Sequence, residues 1–339
     1  GDGANTINIT TGASLLAALF FLPLASAMAQ DQPALYTGKT SHDAQIYAQA
    51  SLDARKLGYA LKNHTLEILE VEPAWLKVRT DKFTGYMRRH YMIDASIKTV
   101  NPRTTPPYGT VECGWLAWVA REAPVLDEPR AGATALITLQ KGARLALLDI
   151  NDGWGRLIYR RQYAYINTNL LSEIQPVNQA AAPGEDAPIA AYTSFYRTSQ
   201  EGSNPNRMIN IQVACDRFSL YTLQQGDKLD FNKHIGPYSR SIGYLPANAL
   251  VGGETIQGYG GGTCQVSSTL YNVVLQLPGV EILHRRPHGP SAASYLPHGA
   301  DAAVGNKTQN FIIRNRYSFP IRIDGTAQDG ALTIAVYRA

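Results

Sequence analysis

The sequence is poor in cysteine and in charged residues, and both shortages limit what the protein can be. Only 3 of its 339 residues are cysteines, and 17% are charged against 45% that are hydrophobic. This balance is typical of a globular chain and excludes an intrinsically disordered one. The formal net charge is only +4 and no dense block of Lys or Arg is present, so nucleic acid is not an expected partner.

Several motifs that would assign a cofactor are also missing. The chain has no P-loop, no dinucleotide-binding fingerprint, no pair of cysteines at zinc spacing and no H-E-x-x-H sequence. We therefore expect no metal and no organic cofactor. The odd number of cysteines leaves at least one thiol unpaired within the chain. Cys113 and Cys215 either form a disulfide or remain as two buried thiols, and the sequence does not decide between these.

A short apolar run near the start, LLAALFFLPLASA, predicts an export signal over residues 1–29. The run extends from Leu15 to Ala27, which is too short to cross a bilayer comfortably, and small residues in an A-x-A pattern follow it. The preceding segment has no Lys or Arg, so a short membrane anchor or a buried helix is the alternative. With a signal, the mature protein would lie in the periplasm or cell wall without a membrane span. Its oligomeric state is not indicated.

Two consecutive segments repeat one another at an offset of 79 residues. Ala44 and Ala123 are 123 − 44 = 79 apart, as are Trp75 and Trp154, and a tyrosine follows each tryptophan after eleven residues. Alternating patterns such as TLEILEV and ARLALLDI, with turn residues in EPAW and NDGW, predict short strands. Short strands in segments of this length close best as small β-barrels.

Each segment resembles a bacterial SH3 domain, the first over residues 36–98 and the second over residues 111–175. The stretch LQKGARLALLDINDGWGRLIY in the second segment fits the family core well, and the first segment fits it less closely. The resemblance implies peptidoglycan binding, and a purely structural spacer is the alternative. The Ala- and Pro-rich stretch at 176–188 then predicts a linker, which leaves residues 189–339 as a third domain.

Cys264 lies between a run of three glycines and a helical pattern. Val266, Leu270 and Val273 fall on one face of a helix predicted from Gln265 to Leu277, with Thr263 able to cap its start. In the first helical turn, unpaired N–H groups and the helix dipole favour a thiolate, so we expect a lowered thiol pKa. The same N–H groups can hold an oxyanion during acyl transfer. A buried structural cysteine is the alternative.

A nucleophilic thiol needs a base, and histidine is the usual one. Of the seven histidines, His284, His288 and His298 follow Cys264 most closely in the sequence. Each one alone is more often a surface or core residue, and the spacing does not choose between them.

The third domain resembles the VanW family. The resemblance rests on GGGTCQVSSTLYN together with RRPHGPSAASYLPHGADAAV and NFIIRNRYSFPIRI, and it covers roughly residues 190–336. The family name comes from vancomycin-resistance gene clusters. Some members that join this domain to envelope-binding modules are L,D-transpeptidases, which form 3–3 cross-links in peptidoglycan through a cysteine. The resemblance therefore implies two small SH3-like barrels followed by an α+β catalytic domain that acts on peptidoglycan stem peptides.

The resemblance also implies roles for particular residues. It makes Cys264 the nucleophile and His288 the base, with His298 as second choice and Asp301 either orienting the histidine or capping a turn. The run HGPSAASYLP departs from the family pattern by a glycine after His288 and by one extra residue before Tyr295. The expected oxyanion and substrate-binding residues are Gly261, Gly262, Gln265, Ser267, Ser268, Arg286 and Tyr295. The two serines either donate to substrate carbonyls or satisfy the local backbone.

Three other functions fit the same residues. Attack of water on the acyl-enzyme would make the protein a carboxypeptidase. SH3-like modules also accompany papain-like peptidoglycan endopeptidases, which share the order of cysteine and histidine but not this cysteine motif. A protein that only binds peptidoglycan, or assists glycopeptide resistance, would need Cys264 only as a structural residue.

Overall fold

Alternation of buried and exposed side chains gives short antiparallel strands over most of the chain. The computed structural model describes residues 32–183, 187–251, 254–288 and 294–339. The predicted export signal therefore lies outside the described residues. The chain divides into two compact units, one ending at Asn101 and the other running from Pro102 to Ala339.

The first unit is a single antiparallel sheet built on a small apolar core. Its strands pair in the order β3-β2-β6-β5-β4-β1-β7, and no pairing among the described residues closes the sheet into the expected barrel. Ile46, Ile68 and Val78 are fully buried at the centre of the core. The strands are β1 (Tyr36–Lys39), β2 (Ala44–Tyr47), β3 (Lys56–Ala60), β4 (Thr65–Val71), β5 (Trp75–Arg79), β6 (Thr84–Arg88) and β7 (Lys98–Thr99).

The second unit begins with eight strands in two sheets. The sheets have the orders β10-β9-β14-β13-β12 and β11-β8-β15, and all of their pairings are antiparallel. The strands are β8 (Trp115–Val119), β9 (Ala123–Leu126), β10 (Ala135–Leu139), β11 (Arg144–Leu147), β12 (Asp149–Asn151), β13 (Trp154–Tyr159), β14 (Gln162–Asn167) and β15 (Leu171–Pro176).

The 79-residue repeat read from the sequence recurs in these strands. The starts of β1, β2 and β3 each precede the starts of β8, β9 and β10 by 79 residues, since 115 − 36, 123 − 44 and 135 − 56 are all 79. The 3₁₀ turns at 89–91 and 168–170 keep the same offset. The single pairing of Tyr47 with Tyr86 has its counterpart in Leu126 with Tyr165.

The rest of the second unit combines three helices with three antiparallel sheets. The largest sheet has the order β16-β24-β23-β17, and α1 and α3 pack on it. The smaller sheets are β18-β22-β21 and the hairpin β19-β20. The elements are β16 (Pro188–Phe195), α1 (Asn204–Phe218), β17 (Tyr221–Leu223), β18 (Lys228–Asp230), α2 (Phe231–Ile235), β19 (Ala247–Val251), β20 (Glu254–Gly258), α3 (Thr263–Val274), β21 (Val280–His284), β22 (Ile312–Asn315), β23 (Ile321–Gln328) and β24 (Ala331–Arg338).

The sequence NFIIRNRYSFPIRI, in which apolar and polar residues alternate, gives two strands in different sheets. Strand β22 pairs with β18 and β21, whereas β23 pairs with β17 and β24. Asn315 ends β22 and is fully buried. Its side-chain amide donates to the carbonyls of Leu223 and Phe319. These bonds fix the connection between the two sheets, so the two strands do not form a hairpin.

The second unit has two apolar clusters, and the larger one joins the second repeat to the large sheet. Leu116, Ala146 and Ile158 from the second repeat are buried together with Tyr192 and Val336 from the large sheet. The predicted linker at 176–188 lies inside this unit, and three of its residues, 184–186, lie outside the described part.

Cys113 and Cys215 are both buried and free in the structure. Burial raises the pKa of the Cys113 thiol to about 12 and raises that of Cys215 as well. Both therefore stay protonated at neutral pH and behave as small apolar side chains.

Candidate active site around Cys264

The three-glycine loop allows α3 to begin directly against α1. Gly262 is the residue before the first helical turn and has a φ of 101°, which is unfavourable for residues with a side chain. A Cβ atom on Gly262 would lie 2.9 Å from the carbonyl oxygen of Arg207, and one on Gly261 would lie 2.7 Å from Ala247. Thr263, expected as the cap, is instead the first helical residue, and its hydroxyl donates to the Gly260 carbonyl.

This start places Cys264 in the first turn of the helix, as the sequence predicts. The thiol is half-buried, and Sγ lies 3.5 Å from both the N and the O atoms of Val304. The N–H groups of Thr263 and Gln265 donate to the carbonyls of Gly260 and Gly262. The N–H of Cys264 itself donates to no acceptor among the described residues, so it remains available to a bound group.

His288 connects Cys264 to a buried carboxylate. Its Nδ1 lies 2.6 Å from Oδ2 of Asp301, and its backbone N–H donates to the same oxygen at 2.7 Å. Because Nδ1 faces Asp301, Nε2 is the ring atom left for the thiol of Cys264. Burial alone would lower the pKa of His288. The hydrogen bonds to Asp301 and Cys264 and the charges of both outweigh it and raise that pKa to about 10.

Asp301 is held as a carboxylate by the groups around it. Burial alone would raise the pKa of Asp301, but the hydrogen bonds from His288 and the charge of Arg285 lower it below its ordinary value. Arg285 donates to the carbonyls of Asp301 and Gly299, lies 3.7 Å from Oδ1 of Asp301, and packs on the ring of Tyr271. The site is therefore a row of four side chains in which basic and acidic groups alternate: Arg285, Asp301, His288 and Cys264.

The polar residues of the cysteine motif fasten α3 to the loop that carries Asp301. Ser267 and Ser268 both donate to the carbonyl of Ala302, and Ser268 also accepts from the Ala302 N–H. Asn272 donates to the carbonyl of Ala300. Because both serine side chains are fully buried and bonded to this loop, the structure favours the backbone role for them over contact with substrate carbonyls.

The remaining predicted residues lie in different surroundings. Gln265 is fully buried and donates to Ser194 and Phe195 of β16, so its amide is not directed at a substrate. Arg286 is exposed, and its backbone carbonyl accepts from the N–H of Ala303. His298 stacks on Tyr108 with ring centroids 5.7 Å apart.

Tyr295 does lie at the site, although it follows the extra residue in the sequence. Burial raises its pKa, and the charge of Cys264 adds to this effect. Its ring also receives the guanidinium of Arg207 at 5.9 Å. The phenol therefore stays protonated at neutral pH, beside the thiol.

Two arginines at the site, Arg285 and Arg207, are not indicated by the sequence. Arg285 directly precedes the predicted Arg286 in the chain, and its burial is what distinguishes it from that exposed residue. Arg207 lies on α1, more than fifty residues before the motif, and donates to Oε1 of Gln265 at 2.9 Å. No spacing rule connects positions so far apart. Among the described residues, no three His, Cys, Asp or Glu side chains converge as a metal site.

Family comparisons agree with the resemblance read from the sequence. Residues 206–337 match the family described as VanW like protein, and residues 42–93 match the bacterial SH3 domain. The chain thus carries a VanW-like domain and a bacterial SH3-like domain. The SH3 match falls on the first repeat, whereas the residues of the family core are clearer in the sequence of the second repeat.

One curated relative is the uncharacterized protein YoaR of Bacillus subtilis (strain 168). It is 32% identical over 180 residues, which are 52% of this chain and 59% of that protein. The chain thus spans less than two thirds of the length of this relative.

Three solved structures were also matched at low similarity. NlpC2 and NlpC1 of Trichomonas vaginalis are 15% and 17% identical, with TM-scores of 0.17 and 0.18, over 57% of this chain and 58% and 55% of theirs. An NlpC/P60 family protein of Bacillus cereus is 14% identical over 43% of this chain and 58% of its own, with a TM-score of 0.16. At these scores the three structures carry no argument about fold or activity.

Within the described residues, no helix combines the length and the apolar composition needed to cross a bilayer.

Proposed function

We propose that the protein is a cysteine acyltransferase of the bacterial envelope, an L,D-transpeptidase that forms 3–3 cross-links between peptidoglycan stem peptides. The observation that carries the proposal is the arrangement of Cys264, His288 and Asp301 in one half-buried group. A thiol next to a histidine whose other nitrogen is fixed by a carboxylate is the arrangement that nucleophilic catalysis requires. The family resemblance supplies the substrate class.

In the first step, the Cys264 thiolate attacks the carbonyl that precedes the terminal D-residue of a stem peptide. A carbon–sulfur bond forms, and the carbonyl electrons move to the oxygen. The unpaired N–H of Cys264 lies where it can stabilise this oxyanion. When the carbon–nitrogen bond breaks, His288 gives its proton to the leaving amine, and Asp301 keeps the imidazole oriented throughout.

In the second step, the amine of a diamino acid on a neighbouring stem attacks the thioester. His288, now neutral, takes the proton from the attacking amine. The carbon–sulfur bond breaks, Cys264 leaves as a thiolate, and a new amide remains. His288 either returns its proton to this thiolate or stays beside it as an imidazolium. The raised pKa of His288 favours the protonated ring between reactions, so the proton that the leaving amine needs is already on the imidazole.

The two repeats suit attachment to the wall polymer, and we propose that residues 111–175 form a second SH3-like module. A cavity of about 430 Å³ in this repeat is lined by Trp154, Tyr165, Arg156 and Asp149 among others. At the same offset of 79, the first repeat carries Trp75, Tyr86, Lys77 and Glu70. An aromatic pair beside a charged pair is thus present twice, and two linked weak sites raise the local concentration of substrate. This role requires export, which we also propose.

The proposal is tested with purified disaccharide-tetrapeptide and mass spectrometry of the products. The wild-type chain should give dimers joined through two diamino acids, with release of the terminal residue, and Cys264→Ala should give none. Cys113→Ala is the matched control, because that thiol is buried in the same unit and is not among the groups that shift the pKa of His288. Dimers of the same yield from Cys264→Ala would contradict the proposal.

The same products separate the alternative functions. Tripeptide without dimers indicates a carboxypeptidase, and cleavage of preformed cross-links indicates an endopeptidase. If no product forms and the thiol reacts slowly with a mild alkylating agent at neutral pH, Cys264 is structural and the protein only binds the wall.

A further inference from the structure

A cavity of about 460 Å³ lies next to the Cys264 site. Its wall includes Gln265, the residue after the cysteine, and Tyr295, which lies beside the thiol. The buried Phe195 and Tyr196 at the end of β16 form its apolar side. The cavity therefore adjoins the site where the reaction is proposed through two residues that neighbour the thiol, and it is large enough for one or two amino-acid residues.

The cavity has an excess of positive charge. Arg160, Arg197 and Arg207 line it, and Glu201 is the only acidic residue among the described residues that do so. None of the three arginines forms an ion pair with a carboxylate in the described part of the chain. Three cations that lack a protein counter-ion and converge on one cavity indicate an anionic ligand.

Arg207 is fixed at the inner end of the cavity. Its guanidinium donates to Gln265 at 2.9 Å and lies over the ring of Tyr295. Burial lowers its pKa, Tyr295 and Cys264 oppose this, and the neighbouring charges of Arg160 and Arg197 lower it further. Repulsion among the three guanidinium groups is relieved when a carboxylate binds between them.

Arg160 is also held in place, although it is on a turn. It lies between β13 and β14 with a φ of 58°, which is unfavourable for any residue other than glycine, Asn or Asp. Its Nη1 donates to the hydroxyl of Ser294 at 3.1 Å, across the cavity wall. The second repeat thus supplies one of the three cations to the cavity.

We propose that this cavity binds the free C-terminal carboxylate of the stem peptide, on the leaving-group side of the bond that Cys264 attacks. The assignment rests on the proposed function, since that function places a terminal residue with a free carboxylate next to the thiol. Planar guanidinium groups match a carboxylate with paired hydrogen bonds. The aromatic wall accommodates the peptide backbone behind the carboxylate. The exposed Arg286, expected to hold this group, lies outside the cavity lining.

The test compares two peptides in the Cys264→Ala protein, where no turnover consumes the ligand. The stem tetrapeptide is titrated calorimetrically as the free acid and as its C-terminal amide. Loss of one charge-assisted contact costs about tenfold in affinity, so the acid should bind at least ten times more tightly than the amide. Arg160→Ala and Arg197→Ala should each remove most of that difference and leave binding of the amide unchanged.

Arg121→Ala is the matched control. Arg121 is an exposed arginine of the same repeat whose one side-chain contact is to a backbone carbonyl, so its removal should leave the preference for the acid intact. Equal binding of acid and amide, or an unchanged preference in both test variants, would overturn the assignment. These results are independent of cross-linking. A preference for the acid in a protein that forms no dimers would support the carboxylate site while removing the proposed transpeptidase activity.

Discussion

At the scale of single residues, the site is a row of charges with alternating sign. Arg285 pairs with Asp301, Asp301 with His288, and His288 with the thiol of Cys264. Arg285 and His288 stabilise the charged form of Asp301, and Asp301 stabilises that of His288, which is why the pKa of Asp301 falls while that of His288 rises. Removing a member should therefore affect its neighbours as well as its own contacts.

The raised pKa of His288 predicts that the folded protein loses stability as the pH becomes alkaline. The folded value is about 10 and the ordinary value is 6.5. The stabilisation by the imidazolium is thus complete below pH 6.5 and is lost as the pH rises through 10. From the size of the shift it amounts to about 3–5 kcal/mol. Urea unfolding between pH 6.5 and 10 should show this decline in wild type and not in His288→Gln. Equal slopes in the two proteins would contradict the assignment.

The adjacent arginines provide a matched pair of substitutions. Arg285→Ala removes two hydrogen bonds and an ion pair around Asp301, so we expect a loss of about 2–4 kcal/mol in unfolding free energy and a higher pKa for Asp301. Arg286→Ala removes an exposed side chain and should change stability by less than about 0.5 kcal/mol. The measurements are urea unfolding and NMR titration of the Asp301 carboxyl. Similar effects of both variants would refute the role given to Arg285.

At the scale of elements, α3 is a helix whose polar residues all have partners inside the protein. On one side Gln265 and Thr269 bond to β16, where Thr269 meets the hydroxyl of Ser194 at 2.7 Å. On the other side Ser267, Ser268 and Asn272 bond to the 300–302 loop. The helix is thus hydrogen-bonded to the sheet on one side and to the loop that carries Asp301 on the other. These bonds fix the position of Cys264 relative to His288.

The start of this helix predicts a specific effect of one methyl group. Gly262→Ala combines a φ of 101° with a Cβ only 2.9 Å from the Arg207 carbonyl, and we expect a loss of about 2–4 kcal/mol in unfolding free energy. Gly132→Ala is the control, because its φ of 84° is equally unfavourable for alanine and no atom lies within 4 Å of the added group. It should lose only about 1 kcal/mol. Equal losses measured by urea unfolding would show that the contact with Arg207 is unimportant.

The sequence predicted much of these elements, and the failures have physical causes. The strand repeat and the helix after the glycines follow from local periodicity, and the VanW-like domain was recognised from its motif. The position of Arg207 and the pairing of β22 away from β23 depend on contacts that are distant in the chain. The role of Ser267 and Ser268 was left open, because a sequence does not distinguish a buried structural hydroxyl from one that binds substrate.

At the scale of the whole molecule, the second repeat and the VanW-like region share part of their interior. All four residues of β11 are buried, which is unusual for a strand with one face towards solvent. The N–H of Ala146 donates to Thr193, Thr333 donates to the carbonyl of Arg144, and Arg144 bonds to Tyr337. The composition of the 176–188 segment predicted a linker because the segment is rich in Ala and Pro. Composition does not show which surfaces the neighbouring segments cover.

This shared interior predicts how the chain can be divided. The fragment 102–339 should unfold in one cooperative transition. The fragment 189–339 exposes the faces of Tyr192 and Val336 that Leu116 and Ala146 cover. It should therefore be largely unfolded or aggregate, because core burial on this scale exceeds the net stability of a domain. Calorimetry and near-ultraviolet circular dichroism of the two fragments provide the measurement. A cooperative transition in the shorter fragment would show that residues 189–339 fold alone.

The turn that carries Arg160 has a consequence for the history of the chain. Subtracting the repeat offset gives position 81, where the first copy has Asp81 in place of an arginine. Exchanging the two copies would put an acid where the cavity has a base. The two copies have therefore diverged at this turn, and the second copy has the arginine that lines the cavity where the first has an acid.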